Sequence, residues 1–455
     1  TDWFTMAIAD FTLAKDLTDG PDSQLAGNNG TKLDALTNGR LAFFTNGKWG
    51  KDWRLTASAD TREGPLKNIF SNFLDKSPDA LFRRLDPDYY YPTFGDDSVI
   101  DQLAPTNGKF YVKLQKNDDH LMWGNFLVRY AENELALVER GLYGANGHYQ
   151  SKAATSFGER RVVVDGFAAD PGTVTSREDF RGTGGSLYFL KRQDLLIGSE
   201  RLRVEVRDKA SGIVQEVANL QPELDYDIDY IQGRILLSEP LSTIANDRLL
   251  VRSDGLSGNE VWLVAQYEYT PGFEKVDTLN SGGDAHAWVT DWLRIGGTAS
   301  HNAQDGNDSS VYAADVTLRK TTRSFVKIQA GRTEGLVSHA LRSDDGGFSF
   351  GAPFAAAPDS QAAWGYRADA SIDLADWLAG FRGQVTLYGQ RLEAGYSASV
   401  LNRLTDTDQY GGSFRIPFKG GVDLVAKADR IVEDQGLTST QGEVDLAYQI
   451  SENWR

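Results

Sequence analysis

Residues 362–374 alternate between apolar and polar side chains, and this pattern constrains the fold more than any other feature of the chain. Successive side chains of an extended strand leave opposite faces, so a period of two sustained over thirteen residues predicts a β-strand. One predicted face carries Ala362, Trp364, Tyr366, Ala368, Ala370, Ile372 and Leu374, and the other carries Ala363, Gly365, Arg367, Asp369, Ser371 and Asp373.

The same alternation recurs through the C-terminal part of the chain. We predict strands at 284–290, 292–301, 311–319, 324–332, 362–374, 378–391, 410–418, 421–430 and 441–450. Between them, short turns (290–292, 321–323, 375–377, 419–420, 451–454) alternate with long polar loops (302–310, 333–361, 392–409, 431–440). The sequence therefore predicts an antiparallel meander in which all short connections lie at one end.

Strand length and loop parity together favour an all-β transmembrane antiparallel β-barrel. Outer-membrane barrels have short periplasmic turns and longer extracellular loops, and their strands need about 9–11 residues to cross the hydrocarbon layer. A soluble β-sandwich has shorter strands, and nothing forces its loops to alternate in length. The chain contains no apolar run long enough for a transmembrane helix.

Three tryptophans, Trp292, Trp377 and Trp454, fall at the short-turn end of the predicted strands. Aromatic rings with a polar edge settle at the boundary between lipid and water, so we predict that these residues belong to a membrane-interface girdle. The alternative is that each tryptophan only closes a hairpin.

The N-terminal part, residues 1–183, is also predicted to supply barrel strands, at 40–48, 52–60, 109–116, 120–129 and 134–142. An excursion at 61–108 interrupts them. Its apolar spacing in Gly64–Lys76 predicts a helix, and Ser77-Pro78 predicts the start of a second helix that ends at Arg84. We expect this excursion to fold over or into a barrel mouth.

Residues 184–260 differ from both flanks, because their predicted strands are short and their turns frequent. We predict an inserted small β domain, plug-like or Ig-like, and further barrel strands at 261–455. The barrel need not close within this chain, which stops one residue into an apparent new strand, and we interpret the sequence as a piece of a longer protein. Asp225, Asp227 and Asp229 have the spacing of a calcium loop, but Tyr230 replaces the required glycine, so an EF-hand is excluded.

Composition narrows the function classes. The chain has no cysteine, and its five histidines (120, 148, 286, 301, 339) show no ligand spacing, so we predict no metal site and no cofactor. A net charge of −17 argues against nucleic acid as a partner. No catalytic motif stands out, and we expect a protein that is not an enzyme.

Four stretches resemble a group of very large Gram-negative cell-surface proteins that carry Ig-like repeats ahead of an outer-membrane barrel. The stretches are Tyr91–Asp97, Met122–Phe126, Arg140–Ala145 and Asp225–Leu237. The last also resembles segments of the type IX secretion translocon, and a small β domain within a barrel is similar in layout to the plug of pilus ushers. The resemblance implies a location in the bacterial outer membrane, with outer-membrane lipid and other envelope or surface proteins as partners.

Three functional hypotheses follow. The first is a pore or translocon gated by the inserted plug-like domain. The alternative is a structural or adhesive outer-membrane anchor for surface repeats or a larger assembly, without transport. The third is a soluble, secreted β protein that binds carbohydrate through its Tyr- and Trp-rich loops.

Overall fold

The computed structural model describes residues 3–14, 36–50, 52–61, 64–70, 110–170, 173–193, 195–196, 198–208, 212, 214–245, 258–269, 278–304, 308–335, 340–351, 362–378, 380–398, 401–402, 405–418, 422–434, 436 and 438–448. Within these ranges the chain is built from strands and two short 3-10 helices, Leu66–Asn68 and Leu374–Asp376. No helix among them is long and apolar enough to cross a membrane.

The strands are numbered in chain order. They are β1 Phe4–Ala14, β2 Leu36–Trp49, β3 Trp53–Asp60, β4 Gly64–Pro65, β5 Phe110–Lys116, β6 Asp119–Tyr130, β7 Val138–Gln150, β8 Val162–Ala169, β9 Val174–Arg181, β10 Leu187–Phe189, β11 Arg201–Arg207, β12 Val214–Asn219, β13 Tyr226–Asp229, β14 Arg234–Leu237, β15 Glu260–Tyr269, β16 Thr278–Trp288, β17 Leu293–Gln304, β18 Ser309–Arg319, β19 Phe325–Glu334, β20 Ala340–Ser343, β21 Ala363–Asp373, β22 Gln384–Leu392, β23 Ser397–Ala398, β24 Leu401–Asn402, β25 Thr407–Phe418, β26 Val422–Glu433 and β27 Thr438–Tyr448.

The chain divides into two compact units. The first comprises Thr1–Phe126 and Tyr143–His148, and the second comprises Leu127–Leu142 and Tyr149–Arg455. In the first unit β1, β2, β3, β5 and β6 pair in sequence as an antiparallel meander. Its β5–β6 hairpin turns at Asn117, whose φ of 54° suits a tight turn between the two strands.

The second unit contains a large antiparallel sheet. In its described residues, ten strands pair in the order β8–β16–β17–β18–β19–β21–β22–β25–β26–β27, so neighbours in this sheet are neighbours along the chain except where a segment is inserted. From β16 onward these strands are 9 to 12 residues long. The nine strands predicted between 284 and 450 are all confirmed, with ends that shift by up to six residues.

The segment between β8 and β16 forms a separate sandwich, which we call the small domain. Its five-stranded sheet has the order β12–β11–β15–β9–β20, and its three-stranded sheet has the order β10–β14–β13. The pairing of β20 with β9 is parallel, and β20 comes from the connection between β19 and β21. Two separate stretches of chain therefore build this domain.

Two strands that the sequence predictions assigned to the large sheet belong to the small domain. β9 lies in the predicted N-terminal barrel region, and β15 was expected to resume the barrel strands at residue 261. Among the described residues, the strands that pair with β9 and β15 all belong to the five-stranded sheet. The misassignment has a physical cause: β15 is ten residues long and buried on both faces, so its length and apolar content match those of a barrel strand.

Strict alternation of loop length is not observed. Connections of 28 and 14 residues (335–362, 393–406) do share one end of the large sheet, and turns of four, five and three residues (289–292, 320–324, 419–421) share the other. However, 305–308 and 434–437 at the long-loop end have only four residues, while 374–383 at the turn end has ten. Strands β17, β18, β26 and β27 extend into residues whose polar composition suggested loop.

The predicted helix at Gly64–Lys76 is wrong in its described part. Gly64 and Pro65 form a short strand against Asn38 and Gly39, and Leu66–Asn68 make a single 3-10 turn. Residues 71–76 and the second predicted helix lie outside the described residues.

Candidate functional site

The large sheet exposes its apolar face and buries its polar face. In β18 Val316 and Leu318 are exposed, whereas Asp315 and Arg319 are buried, with only 4% and 8% of their surface accessible. The exposed large side chains of the ten-stranded sheet are Val162, Val164, Leu279, Ile295, Tyr312, Val316, Leu318, Val326, Ile328, Trp364, Tyr366, Leu387, Tyr410, Phe414, Phe418, Val444, Leu446 and Tyr448. This arrangement is the reverse of that in a soluble sheet.

Strand register makes each face continuous. Ile295, Val316 and Ile328 lie side by side on three neighbouring strands of the exposed face. On the other face a polar row crosses five strands, formed by Asp315, Gln329, Arg367, Gln390 and Gln409. The predicted division of β21, with Trp364 and Tyr366 opposite Arg367 and Asp369, is confirmed.

Charges on the polar face are paired with one another. Arg294 donates to Asp315 at 3.1 Å, and Arg367 forms two hydrogen bonds with Asp369 at 2.7 and 2.8 Å. The Asp284 carboxylate accepts from the Thr298 hydroxyl at 2.6 Å. Buried charge is tolerated only when it is paired or hydrogen-bonded, and the charges of this face meet that condition.

The connection between β6 and β7, residues 131–137, packs onto this polar face; we call it the inner loop. Glu132 pairs with Arg294 at 2.5 Å, and Glu134 pairs with Lys327 at 2.8 Å. The backbone N–H of Glu134 also donates to Gln329 at 2.9 Å. The inner loop thus places two carboxylates opposite cations of β17 and β19.

A glycine pair on the polar face receives the aromatic side chain that fixes the inner loop. Gly331 and Gly365 are direct partners in the β19–β21 register. A Cβ atom on Gly365 would lie 2.9 Å from the Tyr396 ring, and one on Gly331 would lie 2.6 Å from its hydroxyl oxygen. The Tyr396 hydroxyl donates to the carbonyl oxygen of Leu135 at 2.5 Å, and both residues are fully buried.

The small domain has an apolar core between its two sheets. Its members are Phe180, Tyr188, Leu190, Leu195, Leu202, Tyr226, Ile235, Leu237, Leu263, Ala265 and Tyr267. Two buried carboxylates reach this core. Glu200 accepts from the Tyr226 and Tyr230 hydroxyls at 3.3 and 2.9 Å. Glu178 accepts from the Tyr267 hydroxyl at 2.5 Å and from the Lys191 N–H at 3.0 Å. Burial raises the pKa of Glu178 to about 7, although these two hydrogen bonds act in the opposite direction.

The other face of the five-stranded sheet is polar, yet it is buried as well. Asp179 accepts from Arg177 at 2.9 Å and from Arg207 at 2.6 Å, and Glu205 pairs with Arg203 at 2.7 Å. Burial alone would raise the pKa of Asp179, but the positive charges of Arg177 and Arg207 outweigh it and hold that pKa below its ordinary value. The network therefore stays ionised.

This polar face contacts strands that flank the large sheet or belong to it. At one end Arg140 of β7 donates to both carboxylate oxygens of Glu268 at 2.9 and 3.1 Å, and to Asn280 of β16 at 2.6 Å. The neighbouring Glu139 pairs with Arg203. At the other end Lys427 of β26 pairs with Asp208.

Sequence reasoning missed these contacts. The alternation of Arg203, Glu205 and Arg207 was visible, but a charged strand face looks the same whether it meets water or another charged surface. Lys427 lies within β26, whereas Arg382 lies in the connection before β22.

Two of the three tryptophans predicted for the girdle lie among the described residues. Trp292 and Trp377 lie in connections at the turn end, and 55% and 61% of their surfaces are exposed. The ammonium group of Lys320 lies 4.2 Å from the centre of the Trp377 ring. Trp454 lies outside the described residues, and the girdle stays a prediction.

No group of three or more His, Cys, Asp and Glu side chains in the described part of the chain is arranged to hold a metal ion. Asp225 and Asp229 are used locally: their carboxylates accept from the backbone N–H groups of Gln221 and Ile231 at 2.8 and 3.1 Å.

No protein-family model matches the chain, and no curated protein matches it in sequence. Among solved structures it is similar to OccAB3 of Acinetobacter baumannii (11% identity, 98% of both chains, TM-score 0.25). It is also similar to a BenF-like porin from Pseudomonas fluorescens Pf-5 (7% identity, 98% of this chain and 96% of that one, TM-score 0.27). A third is the outer membrane channel DcaP of Acinetobacter baumannii (10%, 98% and 94%, TM-score 0.29). Superpositions at these TM-scores are too loose to transfer a residue role, a ligand or a function to this chain.

Proposed function

We propose that this chain forms an outer-membrane β-barrel pore whose lumen is lined by the polar face of the large sheet. The inverted polarity of that sheet carries the proposal. Water would penalise its exposed apolar side chains by about 25 cal/mol for each Å² left uncovered, and lipid removes this penalty. Strands of 9 to 12 residues suit a hydrocarbon layer that about 9–11 tilted residues cross.

The small domain acts as a plug in this proposal. It is inserted between β8 and β16, which are directly paired strands of the large sheet, and its charged face meets Glu139, Arg140 and Lys427 on the polar side. This insertion between neighbouring wall strands supports the layout likeness to usher plugs. The inner loop adds a second element that narrows the pore.

Orientation follows from the connections. Short turns of outer-membrane barrels face the periplasm, so Trp292 and Trp377 would lie at the periplasmic interface. The small domain and the 28-residue connection that supplies β20 would then enter from the extracellular end. The resemblance to Ig-repeat surface proteins adds no function beyond this location.

The first test is fractionation of expressing cells, followed by a urea wash of the membranes. The proposal expects the chain to stay in the outer-membrane fraction until detergent is added. Release by urea would contradict it, because the apolar face would then belong to a soluble sheet.

The second test is conductance in planar lipid bilayers. We compare the whole chain with a variant in which residues 171–277 are replaced by a short Gly/Ser linker, and we verify folding of both by heat-dependent migration on gels. A larger conductance in the variant supports a plugged pore. Equal, negligible conductance in two folded proteins would instead favour the structural anchor.

A further inference from the structure

Two connections cover a basic part of the polar face with carboxylates, and we propose that they make the pore selective for cations. One connection is the inner loop. The other is residues 151–161, which we call the turn-end loop because it contacts Asp291 in the turn after β16. The inference rests on the proposed function and names the class of solute that the pore passes.

The wall strands β17, β18 and β19 supply the basic part. Arg294 and Lys327 are register partners of Thr317 on either side of β18, and Arg319 lies two residues farther along that strand. From the spacing of strands and residues, the Cα atoms of these three cations lie within about 10 Å of one another. We call them the basic patch. Asp315 pairs with Arg294 at 3.1 Å and offsets one of the three charges.

The inner loop pairs with two members of the basic patch. Glu132 meets the guanidinium group of Arg294 at 2.5 Å, and Glu134 meets the ammonium group of Lys327 at 2.8 Å. Lys327 also donates to the backbone carbonyl oxygen of Glu132. Both carboxylates are therefore held above the wall by the cations that they cover.

The turn-end loop pairs with the third member. Glu159 accepts from two guanidinium nitrogens of Arg319, at 2.5 and 2.6 Å. The Thr155 hydroxyl donates to the same carboxylate at 2.8 Å, within the loop. On the wall side, the Arg319 guanidinium lies 3.5 Å from the centre of the Trp288 ring. The carboxylate is thus fixed both by its own loop and by the wall.

In each of these three pairs the carboxylate is the exposed partner and the cation is nearly buried. The exposed fractions of the side chains, with the carboxylate first, are 48% and 11% for Glu132 and Arg294, 44% and 12% for Glu134 and Lys327, and 41% and 4% for Glu159 and Arg319. We call these three carboxylates the acidic layer. An ion that crosses the lumen would meet the acidic layer first, with the basic patch behind it.

Pairs formed between two wall strands can have the opposite order. Arg415 of β25 is 55% exposed and its partner Asp423 of β26 is 22% exposed. The order at β17, β18 and β19 therefore comes from the connections that lie above the wall. With the acidic layer in place, this part of the polar face has four carboxylates for three cations.

An outer layer of carboxylates in a narrow aqueous passage concentrates cations and repels anions, and rings of Asp and Glu select cations in channels for this reason. The influence of an exposed charge extends about 10 Å at 0.1 M salt. We therefore expect K⁺ and small ammonium solutes to pass more readily than Cl⁻ and small carboxylates.

The reversal potential of the whole chain in planar bilayers, measured under a KCl gradient, tests this selectivity. K⁺ should permeate more readily than Cl⁻. The double variant Glu132→Gln with Glu134→Gln should lower the permeability ratio about two- to fivefold, because two charges of the acidic layer are lost. Lys327→Gln removes a charge of the basic patch and should raise the ratio. If the small domain silences the whole chain, the same ratios are measured with the linker variant of residues 171–277.

The matched control is Glu132→Asp with Glu134→Asp, which shortens the same two side chains but keeps both charges. Its permeability ratio should stay close to that of the unchanged chain. An equal fall in this control would show that packing of the inner loop, and not its charge, sets the ratio, and would overturn the proposal.

A thiol beside the acidic layer measures the local potential without any conductance. The chain has no cysteine, so Ala131→Cys, at an exposed position next to Glu132, provides a single thiol. In detergent micelles a trimethylammonium methanethiosulfonate should react with it faster than a sulfonate one, relative to their rates with a free thiol. Adding Glu132→Gln and Glu134→Gln should lower this rate ratio roughly three- to tenfold, the screened effect of two unit charges within about 10 Å.

The outcomes separate this inference from the proposed function. If the chain conducts but the glutamate variants leave the permeability ratio unchanged, or the thiol shows no preference for the cationic reagent, the acidic layer does not select cations and the pore stands. If neither the whole chain nor the linker variant conducts, the pore is wrong and its selectivity falls with it.

Discussion

The large sheet and the small domain are built from similar strands but bury their faces differently. In the large sheet Ile328 is exposed and its neighbour Gln329 is buried. In the small domain Phe180 and Asp179 are both buried, on opposite faces of β9. The large sheet therefore has an exposed apolar face, which is unfavourable in water. The small domain has a charged face that is buried away from water.

This contrast shows that alternation of residues fixes the strand but not the surroundings of each face. The exposed apolar face of the large sheet is stable where lipid covers it. The polar face of β9 is stable because each carboxylate meets a guanidinium group, as Asp179 does with Arg177 and Arg207. Matched substitutions in the large sheet and in the small domain test this contrast directly.

The largest effect is expected for Leu263→Ala in the small domain. Leu263 is fully buried in the apolar core, and truncation of such a leucine costs about 2–5 kcal/mol. Hydrogen exchange of the amides of β9, β11 and β15, measured in detergent micelles, should show an opening free energy lowered by that amount. Leu318→Ala, at a site 43% exposed on the large sheet, is the matched control and should change these amides little.

The second largest effect is expected when a charge is placed on the exposed face of the large sheet. Ile328→Arg places a guanidinium group on the face that we assign to lipid, which costs about 2–4 kcal/mol near the middle of a bilayer. Leu236→Arg makes a comparable change at a site of similar exposure, 50% against 56%, on the outer face of the small domain. Urea titration of protein refolded into lipid vesicles should show a loss of stability only for Ile328→Arg. Equal tolerance would mean that β19 does not face lipid.

The raised pKa of Glu178 predicts a pH dependence of stability in the small domain. Its folded-state pKa of about 7 lies above the ordinary value of 4.5, so the protonated carboxyl favours the folded domain. The contribution is complete below about pH 4.5 and is lost as the pH rises through about 7, a change of up to roughly 3 kcal/mol. Hydrogen exchange of the β9 amides at pH 5 and pH 8, corrected for intrinsic rates, measures it.

Glu178→Gln should reduce this dependence without abolishing it, because burial also raises the pKa of Glu200 in the same domain. Glu216→Gln, at an exposed site on β12, is the control and should leave it unchanged. An unchanged slope in Glu178→Gln would assign the pH dependence to other groups.

The strands of the large sheet could be predicted from sequence because each face meets a uniform environment. Residues 362–374 gave β21 to within one residue at either end, with the correct face for Arg367 and Asp369. The membership of β15 could not be predicted. Its faces carry Leu263 and Tyr267 toward the core, and Val264 and Glu268 toward the charged side, a composition that leaves sheet and partner undetermined.

The candidate site was less predictable than the fold, because its contacts join residues far apart in sequence. Arg140 and Glu268 are separated by 128 positions, and Lys427 and Asp208 by 219. Each of these side chains would be equally compatible with a solvent-exposed surface. Only the register of the strands and the place of insertion bring them together.

The smallest effect that we predict concerns the inner loop, which contacts the large sheet through side chains such as Arg294 and Lys327. Tyr396→Phe keeps the ring between Gly331 and Gly365 but removes the hydrogen bond to Leu135, which should cost about 1 kcal/mol. Faster amide exchange should appear in residues 131–137 and nowhere in the small domain. Tyr366→Phe, on the exposed face, is the matched control. If exchange in the inner loop is unchanged, its ion pairs to Arg294 and Lys327 suffice to hold it, and the aromatic contact serves packing alone.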